Sequence, residues 1–168
     1  MTFEIEKMLD ETGWRLLEAL QEHARLSYSE LGQRVNLSAP AVAERMRRLE
    51  EAGIISGYHA EVNLSKLGLS ITAIVRVGNT AGQSCQQTLA HIKAIPEVLE
   101  CYRVTGSDAV IARVAATDAS HLERIIDQVG FYGPSTTSLV LSNSMARRTV
   151  TPVLRERGAE EVEGVLTS

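Results

Sequence analysis

The chain is 168 residues long, 44% hydrophobic and 23% charged, with a formal net charge of -4, enough apolar content for one large core or two small ones. This balance excludes broad, nonspecific adhesion to nucleic acid, because counterion release needs clustered Lys and Arg; any nucleic-acid site has to be local. Cys85 and Cys101 stand apart without a CxxC spacing, and neither a signal-peptide pattern nor a long apolar run is visible, so the expectation is a reduced, cytoplasmic protein with no membrane partner and each thiol in a core.

No repeat or low-complexity tract interrupts the sequence. The most informative stretch is YSELGQRVNLSAPAVAERMRRLEEAGIISGY, residues 28–58, which holds two short helical patterns joined by a tight polar turn. In the first, about 29–35, Leu31 and Val35 share a face by i, i+4 spacing; Asn36 tolerates a helix-ending conformation, and Leu37 closes the corner from inside. Ser38 then reads as an N-cap, with Pro40 in the first turn, where a missing backbone donor costs nothing.

Along the second helix Val42, Met46 and Leu49 fall on one stripe and can pack against the first helix. Pro40, Ala41, Glu44, Arg47 and Arg48 point away, with Arg45 on the flank. Together with Ser38 these are the candidate contacts to double-stranded DNA: small residues let the helix start approach base edges, and arginines further along hold phosphates or read guanine. Pairing of Glu44 with Arg48 on a solvated helix face is the competing reading. Gly53 supplies a left-handed cap, and 54–58 follow as a short apolar segment with a turn.

With these features in order, the chain resembles the Lrp/AsnC family of bacterial and archaeal transcription regulators, above all through LSAPAVAERMRRLEEAGIISGYHAEVNLSKLG, residues 37–68. Upstream, MLDETGWRLLEAL, residues 8–20, looks like the family's first helix. Its usual second acidic residue is replaced by Gly13, read as the local loss of a capping or pairing group.

A domain boundary is expected near 61–69, giving a winged-type helix-turn-helix domain over 1–60, a linker over 61–69 and a second domain over 70–168. A linker strand is expected at about 57–63. Beyond it ITAIVRV, 71–77, alternates like a half-buried strand. A turn-rich connection follows at 78–82, then a helix over 83–95 with Leu89, Ile92 and Ala94 or Ile95 as its apolar face, stopped by Pro96. VLECYRV (98–104) and AVIARVAA (109–116) read as a hairpin about Thr105–Asp108. Asp118 or Ser120 caps a helix with Leu122, Ile125, Ile126 and Val129 inward. Residues 135–143 form the last strand.

The order βαββαβ predicts an α+β protein whose second domain is ferredoxin-like. Two helices cover one sheet face, and a second copy of the chain is the economical cover for the other. The resemblance implies the same: paired sheets in a homodimer, dimers joined into a higher oligomer, and a small effector, an amino acid, bound by this domain. Its further signatures here are VTGSDAVIARV (104–114) and YGPSTTSLVLSN (132–143). One departure is local, since Asp108 follows Gly106 by two positions where the family often has its acidic residue at three, the place held here by Ala109.

The candidate effector residues are Gly106, for close backbone approach, Ser107, for its hydroxyl, and Asp108, to balance an ammonium, with Thr136 and Ser138 offering hydroxyls from a neighbouring subunit. Spacing alone reads equally as a plain glycine hairpin beside a threonine-rich edge; the resemblance favours the effector site. Two further readings are a sensing or architectural module without specific DNA readout, and an enzyme similar to tetrapyrrole decarboxylases. The second would want His or Arg gathered in a pocket, whereas His23, His59, His91 and His121 are scattered, none at metal-ligand spacing. The chain therefore reads as a non-enzyme without catalytic residues, metal or cofactor.

Overall fold

A computed structural model of the chain describes residues 2–79, 84–143, 145 and 147–154. Its first helix, α1 (Thr2–Met8), lies ahead of the helix that the sequence announces. α2 (Glu11–Glu22) begins where Asp10 Oδ1 accepts a hydrogen bond from the Gly13 N–H at 2.8 Å. Gly13 is not simply a lost pairing group: a Cβ there would stand 1.9 Å from the carbonyl oxygen of Met8. The end of α1 thus passes α2 at a distance that only glycine permits.

α3 (Tyr28–Val35) opens on a capping box, with Ser27 Oγ accepting from the Glu30 N–H at 3.3 Å and Glu30 Oε2 from the Ser27 N–H at 2.8 Å. It closes on Asn36 in the left-handed region, φ 56° and ψ 44°. The turn to α4 (Ala39–Glu51) is tight enough that a Cβ on Gly32 would lie 2.4 Å from the Leu37 carbonyl oxygen. Ser38 caps α4 with Pro40 in its first turn, as its sequence predicts. Leu16, Leu31, Val42, Met46 and Leu49 are almost fully buried in one core, and Ile54 and Ile55 pack against it from beyond α4.

The linker strand expected at 57–63 does not form within this chain, where those residues carry no strand pairing; an extended segment needs a neighbouring edge to satisfy its N–H and C=O groups. A short 3-10 helix, Leu64–Leu67, leads instead into the second unit. There β1 (Ile71–Gly78), α5 (Cys85–Lys93), β2 (Val98–Arg103), β3 (Asp108–Ala116), α6 (Ala119–Gly130) and β4 (Ser135–Leu139) give the βαββαβ order and an antiparallel sheet ordered β2-β3-β1-β4. Asp118 is the cap of α6, through its bond from the His121 N–H at 2.9 Å. The connection expected at 78–82 lies, from residue 80 on, outside the described residues, as does Gln83.

β4 is shorter than expected, ending at Leu139 rather than 143. Its neighbour β1 begins at Ile71, so the last bond available is Val140 N–H to Thr72 O at 2.9 Å, and Leu141 is 94% exposed. Ala73, Val75 and Val77 of β1 with Val110, Ala112 and Val114 of β3 form a core with Ile92 of α5 and Leu122, Ile125 and Val129 of α6. By strand alternation Thr72, Ile74 and Arg76, Ile111 and Arg113, and Glu100 and Tyr102 take the other face, and no described element of this unit covers it.

The chain divides into two compact units, Met1–Ala60 with Met145–Ser168 and Glu61–Ser144. The tail, expected with the sheet domain, therefore groups with the helical unit. Within that unit Gln21 Nε2 donates to the Val150 carbonyl at 3.0 Å while Gln21 Oε1 accepts from the Val150 N–H at 2.8 Å.

Candidate nucleic-acid interface and ligand loop

The outward face of α4 is set by its buried stripe. With Val42, Met46 and Leu49 turned inward, Pro40, Glu44, Arg47 and Arg48 are exposed and Ala41 is half-buried at the start of the helix; Ser38, at the cap, is exposed too. The arginines are not idle. Arg47 bonds Glu44 at 2.8 Å and also Glu51, one turn on, while Arg48 Nε donates to the same Glu44 oxygen at 2.8 Å. Both hydrogen bonds, Arg47 first and then Arg48, hold the Glu44 carboxyl down at about 2, and Glu44 with Glu51 raises the Arg47 guanidinium in return. The competing reading of this face, an i, i+4 pair of Glu44 with Arg48, is thus present and extended by Arg47.

Arg45 is placed otherwise. It points back across the unit and makes a bidentate pair with Asp10, at 2.7 and 2.8 Å, which lowers the Asp10 carboxyl below its ordinary value chiefly through that bond. One carboxylate therefore caps α2 and fixes α4, a planar fork being the group suited to such an arrangement. Arg45 orients the helix from behind. Sequence spacing carries no signal for this pair, since its members lie 35 positions apart. Tyr58 was equally hidden: its hydroxyl donates to Glu50 at 2.8 Å, and burial, with that carboxylate, raises its phenol.

In the sheet unit the loop residues gather at one end of the sheet. Gly106 has φ 111°, with open space where a Cβ would go. The Ser107 carbonyl accepts from the Asn79 N–H at 3.4 Å, and Asp108 pairs with Gly78 at the end of β1. Beside it the Gly78 N–H donates to Pro134 O at 2.8 Å, which brings the start of β4 to the same end. Thr136 lies opposite Arg76 and Ser138 opposite Ile74, so their side chains take the sheet face away from the helices. A single chain thus places Gly106, Ser107 and Asp108 at the same end of the sheet as the start of β4, with β1 between β3 and β4, Thr136 near that end of β4 and Ser138 two residues further along. On the same open face Arg113 pairs with Glu100, whose other oxygen accepts from Tyr102 at 2.8 Å.

The histidines do not converge. His91 stacks on Tyr132, with ring centroids 4.8 Å apart, and His121 faces Glu97 at 3.1 Å. Among the described residues no group of three or more His, Cys, Asp or Glu could hold a metal ion, and no helix is long and apolar enough to cross a membrane.

Two family models match in chain order: winged helix-turn-helix DNA-binding over residues 9–56 and the Lrp/AsnC ligand binding domain over 72–150. The chain belongs to the Lrp/AsnC family. It is 37% identical over 136 residues to YezC, an uncharacterized HTH-type transcriptional regulator of Bacillus subtilis, covering 81% of this chain and 96% of that one. To LrpC of the same organism it is 32% identical over 134 residues, 80% and 92% of the two chains, and the LrpC structure superposes with a TM-score of 0.77 over 83% of this chain and 99% of that one. The L-methionine complex of a Neisseria meningitidis transcriptional regulator is 28% identical, with a TM-score of 0.78 over 84% and 96%. The Lrp/AsnC assignment makes this chain a DNA-binding transcriptional regulator, and α4 is the second helix of its helix-turn-helix.

Proposed function

We propose that this regulator binds DNA sequence-specifically through α4 and that an amino acid, held at the sheet corner, changes its assembly or its affinity for DNA in the cytoplasm. Ser38, Pro40 and Ala41 approach base edges, Arg47 and Arg48 exchange Glu44 for phosphate or guanine while Glu44 faces the groove, and Arg45 holds the helix at its angle. The effector carboxylate meets the backbone about Gly106 and Ser107, its ammonium meets Asp108, and Thr136 and Ser138 add hydroxyls from a neighbouring copy. The protein works as a homodimer joined into a higher oligomer, and it is not an enzyme. The observation that carries this reading is the join of a capped helix-turn-helix to a sheet with one open face, at one end of which lies the loop of Gly106 to Asp108.

The L-methionine complex of the Neisseria meningitidis relative supports the choice of an amino acid. Selection of bound genomic fragments, with and without a panel of amino acids, is the direct test; the expected result is an enriched motif whose occupancy shifts with one of them. Gly106→Val then tests the corner. A β-branched residue is strained at φ 111° and fills the open space, so the variant is expected to bind the selected DNA while losing the response to the amino acid. Calorimetry showing native affinity for the amino acid would exclude the corner as its site.

The paired arginines of α4 favour one competing reading, a sensor without sequence-specific readout. Equal affinity for selected and scrambled DNA across a salt series would establish it.

A further inference from the structure

The arginines of α4 reach phosphate only by leaving carboxylates: Arg45 is held by Asp10, Arg47 by Glu44 and Glu51, and Arg48 by Glu44. The tail is different. Arg147 and Arg148 are exposed, and among the described residues no carboxylate pairs with either, although Glu18 and Glu22 of α2 flank Gln21 in sequence. The tail belongs to the helical unit from Met145 on, and there the Gln21 amide makes a two-way bond with the backbone of Val150. Arg148 lies two residues before Val150. At ~3.3 Å per residue the backbone of both arginines is within roughly 10 Å of that clasp. The last turn of α2, where Gln21 sits, leads through exposed Arg25 to the cap of α3, the first helix of the helix-turn-helix.

We propose that 147–149 is a basic arm that the Gln21 clasp docks on the DNA-binding unit, where Arg147 and Arg148 contact the phosphate backbone of duplex DNA outside the groove occupied by α4. The inference rests on the DNA-binding reading and adds a contact which that reading does not supply. Among the described residues these two guanidinium groups, on an irregular segment, have no carboxylate to give up. Their contribution is therefore independent of base sequence, and it belongs to the salt-dependent part of binding.

The test uses the full-length chain with two duplexes, a selected genomic fragment and a long mixed-sequence duplex, titrated across salt. The double variant R147A/R148A is expected to bind both about tenfold more weakly at moderate salt, and to lower the slope of log K against log salt by about 1.8, two phosphates at about 0.9 each. R147K/R148K, which keeps the charges, is expected to restore affinity and slope. Gln21→Leu keeps the arm but removes both bonds of the clasp, and about threefold weaker binding is expected. Should the alanine pair change the assembly seen by sedimentation, R147Q/R148Q is read in its place, because it retains long polar side chains.

Wild-type affinity and slope in the neutral variant overturn the proposal, as does a loss confined to the selected fragment, which would mean base readout. Failure of the lysine pair to restore binding also overturns it, and unchanged affinity in Gln21→Leu overturns the role of the clasp. If the unaltered protein binds neither duplex even at low salt, the DNA-binding reading itself is what fails.

Discussion

The helical unit and the sheet unit reach order in different ways. The helical unit closes on itself: Leu16, Leu31, Val42, Met46 and Leu49 fill a core from three helices, and polar links then fix the helices, Asp10 to Arg45 and Gln21 to Val150. The sheet unit is finished on one side only. Its helix-covered face is almost entirely aliphatic, while its other face carries Ile74 and Ile111 beside Arg113, Glu100 and Tyr102. A unit built the first way is a self-contained reading head. One built the second way leaves a face open, and that is the face the proposed pairing of two copies would cover.

The sharpest way to break the comparison is to empty the helical core. Leu31 is fully buried, and Leu31→Ala is expected to destabilise its unit by about 2–5 kcal/mol, the transfer loss plus the cavity left behind. Two melting transitions should be seen, with the helical unit's shifted down and the sheet unit's in place. A common shift of both would mean that the units fold as one.

The next largest effect lies on the open sheet face. Ile111→Arg places a charge where the proposed pairing of two sheets would desolvate it without a partner, at a cost of several kcal/mol. The expected outcome is a dimer dissociation constant raised at least about a hundredfold, equivalent to about 2.7 kcal/mol, read by sedimentation, with the sheet unit's melting temperature nearly unchanged. An intact dimer would move the interface to another surface.

How much of this was legible follows the distance over which each feature is decided. Ser38 with Pro40, Asn36, and the Val42, Met46, Leu49 stripe are local, and the sequence announces each through capping chemistry or helical periodicity. β1 and β3 read correctly because inward aliphatics alternate along them, whereas the strand expected at 57–63 does not form and β4 stops at Leu139. Hidden features depend on what the fold brings together: Asp10 with Arg45 across 35 positions, and Gln21 with Val150 across 129. Gly13 shows the same limit, since its need for glycine comes from the Met8 carbonyl and from no pattern in its own helix. The sheet corner was half legible. Gly106 and Asp108 mark a turn by composition, but only the register that sets Asp108 against Gly78, and the Gly78–Pro134 bond, bring the start of β4 to the same end of the sheet.

The smallest effect concerns the polar links themselves. Asp10→Asn keeps the acceptor oxygen that caps α2, because Asn is as good a cap as Asp, and removes only the charge facing Arg45. Both partners are partly exposed, at 44% and 34% of their side chains, so solvent screening limits the loss at neutral pH to about 1 kcal/mol or less. The pH profile is the more telling readout. The folded-state value of Asp10 lies below its ordinary 3.8, so its contribution is complete above that value and disappears as the pH falls through the lower, folded one. Glu44, held at about 2, acts in the same direction. Acid titration of the helical unit should therefore show stability falling from about pH 4 downward, with a shallower fall in the Asn variant. Because Glu44 is common to both proteins, the difference between their curves isolates the link between Asp10 and Arg45. Parallel acid curves would mean that the bidentate pair exchanges with water too freely to fix α4, and that the angle of the helix is set by its buried stripe alone.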